Sequence, residues 1–269
     1  MTSTLSVPDT ELRSTVSRLW VYTNFDCNLA CSYCLTSSSP TAPRRALPEG
    51  AFERLIDEAV AAGTGEVFLT GGEPFLLANA FERLAYAGSR LPTTVLTNGM
   101  LLKGRRLERL RALRDLRLTI QVSLDGHAPE IHDAYRGAGS WAATVAAIRA
   151  LQAEGFRVGI GATETPVNAP HVGALRAFVA ELGVPEERFF LRPLTKRGFS
   201  LEGIELRAED IEPELTVTAE GVFWHPQSAG EAMLLSREIF PLHDAFELML
   251  TTLEAMRGVG AGLGRYRCA

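Results

Sequence analysis

The sequence predicts an α/β fold, a partial (β/α)6 barrel of the TIM type with a small C-terminal α+β extension. Three observations lead there. Short apolar runs rich in β-branched and aromatic residues alternate about six times with segments of helical period, the rhythm of parallel strands joined by helical crossovers. The runs are apolar nearly throughout, as strands covered on both faces are. Polar or glycine-rich residues follow one run after another, which suits a single rim assembled from many strand ends.

The elements follow in order. After a polar arm, residues 19–23 (LWVYT) read as a buried strand, and a cysteine-bearing segment and a Ser/Thr/Pro-rich loop at 36–48 come next. A helix is expected over 48–62, with Pro48 in its first turn and Phe52, Leu55, Ile56, Ala59 and Val60 at helical spacing. Strand 66–70 ends in Gly71-Gly72 ahead of a helix at 76–89; strand 93–97 ends in Asn98-Gly99 ahead of a helix at 101–113. Strand 118–124 ends in Asp125-Gly126, and a helix at 141–154, a strand at 156–163, a helix at 172–182 and a sixth strand around 189–191 complete the series. Beyond about residue 194 the pattern changes: 195–212 is irregular, 215–218 and 222–224 read as a hairpin turning at Glu220-Gly221, and a helix at 244–256 precedes a glycine-rich tail. The chain divides into an arm (1–17), the barrel (18–195) and an extension on the substrate side (196–269).

With 269 residues, 46% of them hydrophobic, the chain can bury one large core. A net charge of −5 lacks the basic excess of proteins that bind duplex nucleic acid, so no nucleic-acid partner is expected. The start has no basic stretch followed by an apolar run, and no apolar stretch reaches the roughly 18 residues of a membrane span. A cytoplasmic protein without a membrane partner is expected.

Three of the four cysteines, Cys27, Cys31 and Cys34, fall in a C-x3-C-x2-C segment; the fourth is Cys268. Such close neighbours rarely meet disulfide geometry, and in a reducing compartment they read as metal-binding or catalytic. A structural zinc site takes four ligands, while His127, His132, His171, His225 and His243 are scattered along the chain. Three thiolates suit a cubane cluster in which three irons are protein-bound and the fourth stays open to an exchangeable ligand. The alternatives are three buried cysteines, or zinc with a distant fourth ligand.

This spacing, directly after the first strand of a βα protein, resembles the radical S-adenosylmethionine (SAM) superfamily. The resemblance implies one [4Fe–4S] cluster on Cys27, Cys31 and Cys34. Gly71-Gly72-Glu73-Pro74 is similar to the family's GGE motif, which holds the methionine ammonium of SAM: a carboxylate and carbonyl oxygens suit a cation, and glycines let the backbone approach. Thr97 and Asn98 stand where relatives contact the ribose, or they form a strand-ending Asn-Gly turn. Ser123-Leu124-Asp125-Gly126 with Tyr135-Arg136-Gly137 resembles the branch of SPASM-domain peptide maturases and the molybdenum-cofactor cyclase. That implies Ser123 and Arg136 on the SAM carboxylate, Arg136 through its planar fork, with Asp125 read as the cap of the next helix. At Leu191-Arg192-Pro193-Leu194 relatives set backbone and apolar groups such as Leu191 against the adenine; Arg192 reads equally as an ion-pair or a substrate residue. Tyr33 packs near the adenine or serves the loop. The resemblance covers roughly residues 18–195.

The resemblance further implies reductive cleavage of SAM to a 5′-deoxyadenosyl radical and hydrogen abstraction from a small-molecule or peptide substrate, in peptide or specialised-metabolite biosynthesis, with a reducing partner such as flavodoxin or ferredoxin. A glycyl-radical-enzyme activase and a non-catalytic iron–sulfur or zinc module are the alternatives. Residues 219–226 resemble the strand that precedes auxiliary-cluster cysteines in SPASM proteins, but His225 and Pro226 stand where a cysteine is expected. No auxiliary cluster is therefore expected.

Overall fold

The structure, a computed structural model, describes residues 17–258, so the polar arm up to residue 16 and the tail with Cys268 lie outside the described residues. Strands β1 (Arg18–Asn24), β2 (Glu66–Gly71), β3 (Thr93–Thr97), β4 (Leu118–Ser123), β5 (Arg157–Glu164) and β6 (Phe189–Pro193) lie side by side in chain order, every pairing parallel. Between them run α1 (Ala51–Ala61), α2 (Ala80–Arg90), α3 (Arg105–Arg111), α4 (Pro129–Arg136), α5 (Ser140–Ala153) and α6 (Val172–Glu181). Three short strands follow, β7 (Thr216–Thr218), β8 (Gly221–Phe223) and β9 (Leu234–Ser236), then α7 (Leu242–Gly258). The sheet order is β6-β5-β4-β3-β2-β1-β7-β8-β9, with β6 and β9 at its ends, an open barrel.

The strands are apolar on both faces because they serve two cores. Along β1, Leu19 and Val21 enter the large core between sheet and helices, which α1 joins through Phe52, Leu55, Ile56 and Ala59. Trp20, one residue out of phase, points the other way and packs with Phe68 and Leu96 inside the curved sheet. The Trp20 and Phe68 rings stack at 4.4 Å.

Several boundaries differ from the sequence reading. Gly50, in a left-handed conformation (φ 74°), delays α1 to Ala51, so Pro48 stands ahead of the helix. Pro74–Leu76 forms a separate 3-10 turn before α2, and Gly104 (φ 52°, ψ −133°) holds back the start of α3. The short helix α4, which buries Ile131, His132 and Arg136, was not among the expected elements. The extension does not stand apart: β7 pairs parallel with β1 (Trp20↔Thr216, Val21↔Val217), and the β7–β8 hairpin and β9 extend the barrel sheet on that side. Helix α7 returns to α1, where Glu58 Oε2 accepts from Leu242 N at 2.6 Å. Among the described residues no helix is long and apolar enough to cross a membrane.

Candidate active site

The cysteine segment leaves the C-terminal end of β1 and is stitched to the end of β2 through the backbone. Gly72 N donates to Asn24 O at 2.8 Å and Glu73 N to Asp26 O at 2.9 Å, while Asn24 Nδ2 donates to Asp26 O and Glu73 O. The paired glycines are what permit this approach. Gly71 has φ 125°, and a Cβ at either position would run into the backbone of residues 24–26.

Glu73 is 0% exposed. Its carboxylate accepts from Phe75 N (3.1 Å), Thr97 Oγ1 (2.8 Å) and Asn98 N (2.9 Å). Burial pushes its pKa up to about 7 against those donors. The side chain thus clamps the end of β2 to the end of β3, and it is turned away from the wall where the sequence reading put a carboxylate for an ammonium group. The surface that the motif offers the pocket is Gly71 and Gly72. Pro74 is buried in the turn behind them. Asn98, anchored through its backbone, donates from Nδ2 to Asn28 Oδ1 at 2.9 Å and reaches Cys27 Sγ at 3.8 Å.

Cys27, Cys31 and Cys34 all line one pocket, with Thr97, Asn98, Ser123 and Arg136 from the neighbouring strand ends and α4. None of the three is in a disulfide. Leu29 N points at Cys27 Sγ (3.4 Å), and Ser38 N (3.4 Å) and Thr36 Oγ1 (3.1 Å) meet Cys34 Sγ. Burial pushes the Cys27 thiol up to about 12, with Cys31 and Cys34 adding to it, and burial raises Cys31 against the opposing charge of Arg136. Among the described residues no three such groups converge as ligands of a single metal ion. A cubane asks for a wider set, since each thiolate binds a different iron. Three thiols on one wall, with backbone N–H groups aimed at the Cys27 and Cys34 sulfurs, fit that group, whose binding displaces the thiol protons.

Arg136 comes from α4 and Asp125 from the end of β4. They form a buried pair, Nε to Oδ2 at 2.5 Å and Nη2 to Oδ1 at 3.5 Å. Burial opposes both charges, and their attraction outweighs it: the Asp125 carboxyl sits below its ordinary value and Arg136 above its own. Asp125 also accepts from Thr163 N (2.9 Å) and the Tyr33 hydroxyl. It does not cap α4, whose first turn begins at Ala128-Pro129 without a side-chain cap; the ion pair and β5 take up its lone pairs. Tyr33 lines the pocket, its ring centroid 5.5 Å from the Arg136 guanidinium carbon.

On β6 the alternation of the strand separates neighbours. Leu191 packs on the large outer core, whereas Arg192 lines the pocket. Pro226, which stands where an auxiliary-cluster cysteine is expected, and Gln227, which the sequence reading did not single out, lie just past β8 and complete the wall. No local motif marks Gln227; it arrives because β7 and β8 extend the sheet.

The model of the family described as "Radical SAM superfamily" matches residues 21–168, more than half of the chain. The chain belongs to that superfamily, whose members use a [4Fe–4S] cluster and SAM (AdoMet). Among curated relatives, an AdoMet-dependent heme synthase of Methanosarcina barkeri is 35% identical over 175 residues, covering 64% of this chain and 49% of the relative. The mycofactocin maturase MftC of Mycolicibacterium smegmatis is 31% identical over 201 residues, 72% of this chain and 50% of that one. The chain thus spans about half the length of these relatives. Among solved structures, anSMEcpe with bound AdoMet and a Cp18Cys peptide superposes with a TM-score of 0.68 at 15% identity, over 89% of this chain and 82% of that one. At that identity the likeness shows the fold.

Proposed function

We propose that this chain is a radical SAM enzyme that removes a hydrogen atom from its substrate during the biosynthesis of a modified peptide or another specialised metabolite. The observation that carries the reading is the convergence of three free thiols, the paired glycines, and Ser123 with Arg136 on one pocket at the C-terminal ends of β1–β4. When bound, the reduced cluster and SAM supply one-electron cleavage of the sulfonium C–S bond and the 5′-deoxyadenosyl radical that takes the hydrogen.

The residues of the chain bind, orient and shield. Cys27, Cys31 and Cys34 hold the cluster, with Leu29 N and Ser38 N directed at the Cys27 and Cys34 sulfurs. The Gly71-Gly72 backbone faces the methionine ammonium. Ser123 and Arg136 hold its carboxylate, with Asp125 fixing the guanidinium. Thr97 and Asn98 serve the ribose, and Tyr33 and the β6 segment at Leu191 flank the adenine. Trp20 and Leu96 form an apolar floor that keeps water from the reacting centre. Residues 18–195 carry this chemistry and the extension that begins at residue 196 serves the substrate, a division supported by Pro226 and Gln227 on the wall. A flavodoxin- or ferredoxin-type donor in the cytoplasm supplies the electron. The maturase among the relatives supports a peptide substrate; the heme synthase supports a tetrapyrrole as the second reading.

Anaerobic reconstitution with iron, sulfide, dithionite and SAM tests the proposal. Cys27→Ala, Cys31→Ala and Cys34→Ala are each expected to bring 5′-deoxyadenosine to background and lower bound iron, while Cys268→Ala changes neither. Undiminished 5′-deoxyadenosine in the three cluster variants would sink the reading.

A further inference from the structure

The pocket is walled from both ends of the sheet. Arg192 stands on β6, the last strand on one side, and Gln227 follows β8 on the other, so the two line one cavity at the barrel's open seam. Each carries a buried polar atom without a hydrogen-bond partner: Nε of Arg192, a donor, and Oε1 of Gln227, an acceptor. Gln227 is 3% exposed. The other guanidinium on this wall, Arg136, is paired with Asp125 and assigned to the SAM carboxylate, whereas no acid pairs with Arg192 among the described residues. Glycine on β5 makes room for it: a Cβ at Gly161 would stand 2.5 Å from Arg192 Nη2 and 2.6 Å from Gln121 Nε2.

A buried guanidinium N–H without an acceptor is destabilising unless a ligand supplies one, and the planar fork that carries it matches a carboxylate. An unmet buried acceptor calls for an N–H. We propose that the substrate presents a carboxylate to Arg192 and an adjacent N–H to Gln227. This rests on the radical SAM reading and specifies its substrate class: an acid with a neighbouring amide, whether an acidic residue within a peptide or a free amidated metabolite.

Equilibrium dialysis of the reconstituted holoenzyme with saturating SAM tests this, using N-acetyl-glutamate N-methylamide and its neutral isostere N-acetyl-glutamine N-methylamide as probes. The acid is expected to bind about tenfold more tightly, the difference one charge-assisted contact makes. Arg192→Gln should erase that preference and Arg192→Lys retain part of it, with iron content and SAM affinity read in the same samples. Gln227→Ala should weaken both probes by a similar factor, since both offer the N–H. Equal binding of the two probes by wild type, or a preference that survives Arg192→Gln, overturns the assignment. So does loss of SAM affinity in Arg192→Gln, which would make Arg192 a SAM residue. A wild-type chain that binds neither iron nor SAM fails at the enzymatic reading itself. Glutarate, which lacks the amides, binding as tightly as the peptide probe would overturn the N–H assignment to Gln227.

Discussion

The parallel strands β1–β6 and the short strands β7–β9 share one sheet but are held in it by different means. Each parallel strand has five to eight residues, is joined to its neighbour by a helical crossover and contributes at least one residue to the pocket wall. The extension strands have three residues each, too few to dock by ladder alone. They are fastened by individual side chains instead: Glu214 accepts from Trp20 Nε1 and Arg18 Nη1, Tyr22 donates its hydroxyl to Pro226 O, and Trp224 Nε1 donates to Ile211 O at 2.9 Å. The barrel half is built by repetition and the extension by particular contacts, so the first tolerates loss of one surface contact while the second delivers Gln227 only if its anchors hold.

Four changes probe this contrast. The largest effect is expected for Gly72→Ala, because a Cβ there falls on the Asp26 backbone. A loss of roughly 4 kcal/mol or more, together with failure to take up iron, is expected in urea titration and iron analysis; full iron loading would break the stitched-loop account. Asp125→Ala comes next. It strands the Arg136 cation in the interior, and an uncompensated buried charge costs about 3–5 kcal/mol; an unchanged urea midpoint would show the pair to be dispensable.

The third compares two buried histidines. His132 in the barrel and His225 in the extension are both 0% exposed, and each Nδ1 accepts a backbone N–H, from Asp125 at 3.0 Å and from Gln227 at 3.2 Å. Burial lowers them to about 4 and about 3 respectively. A folded pKa below the unfolded one means that the unfolded chain binds more protons between the two values, so stability falls as pH drops below about 6.5. By pH 5 each imidazole should remove about 2 kcal/mol. His225→Asn, which keeps the acceptor for Gln227 N, should return one share of that loss; an identical pH slope in the variant would mean that His225 titrates normally. The smallest effect is expected at the surface. Arg109→Ala breaks a half-exposed pair with Glu82 (2.6 Å) and should cost less than about 1 kcal/mol, the counterpart of the buried Asp125–Arg136 pair.

Much of the barrel was legible in the residues because its signals are local. The β/α rhythm, the thiol spacing after β1 and the glycine pair after β2 are each contained in a few consecutive positions, and all three meet at one rim. What the residues left open shares a cause. Glu73, Asp125 and Leu191 were placed in the right loops or strands, but their aim depends on partners distant in sequence: Thr97 and Asn98 for Glu73, Arg136 and Thr163 for Asp125, the strand face for Leu191. Arg192 shows how sharp this is, since one step along β6 exchanges the outer core for the pocket.

By itself, then, the order of residues determined which groups gather at the strand ends, because parallel strands joined by helices must bring their C-terminal ends to one side. Only the tertiary structure decided where those groups point and what closes the seam. Glu73 turned inward as a clamp and β7 paired with β1 rather than standing off as a separate hairpin, since hydrogen-bond partners and strand neighbours are chosen by packing across the whole sheet, which no stretch of adjacent residues encodes.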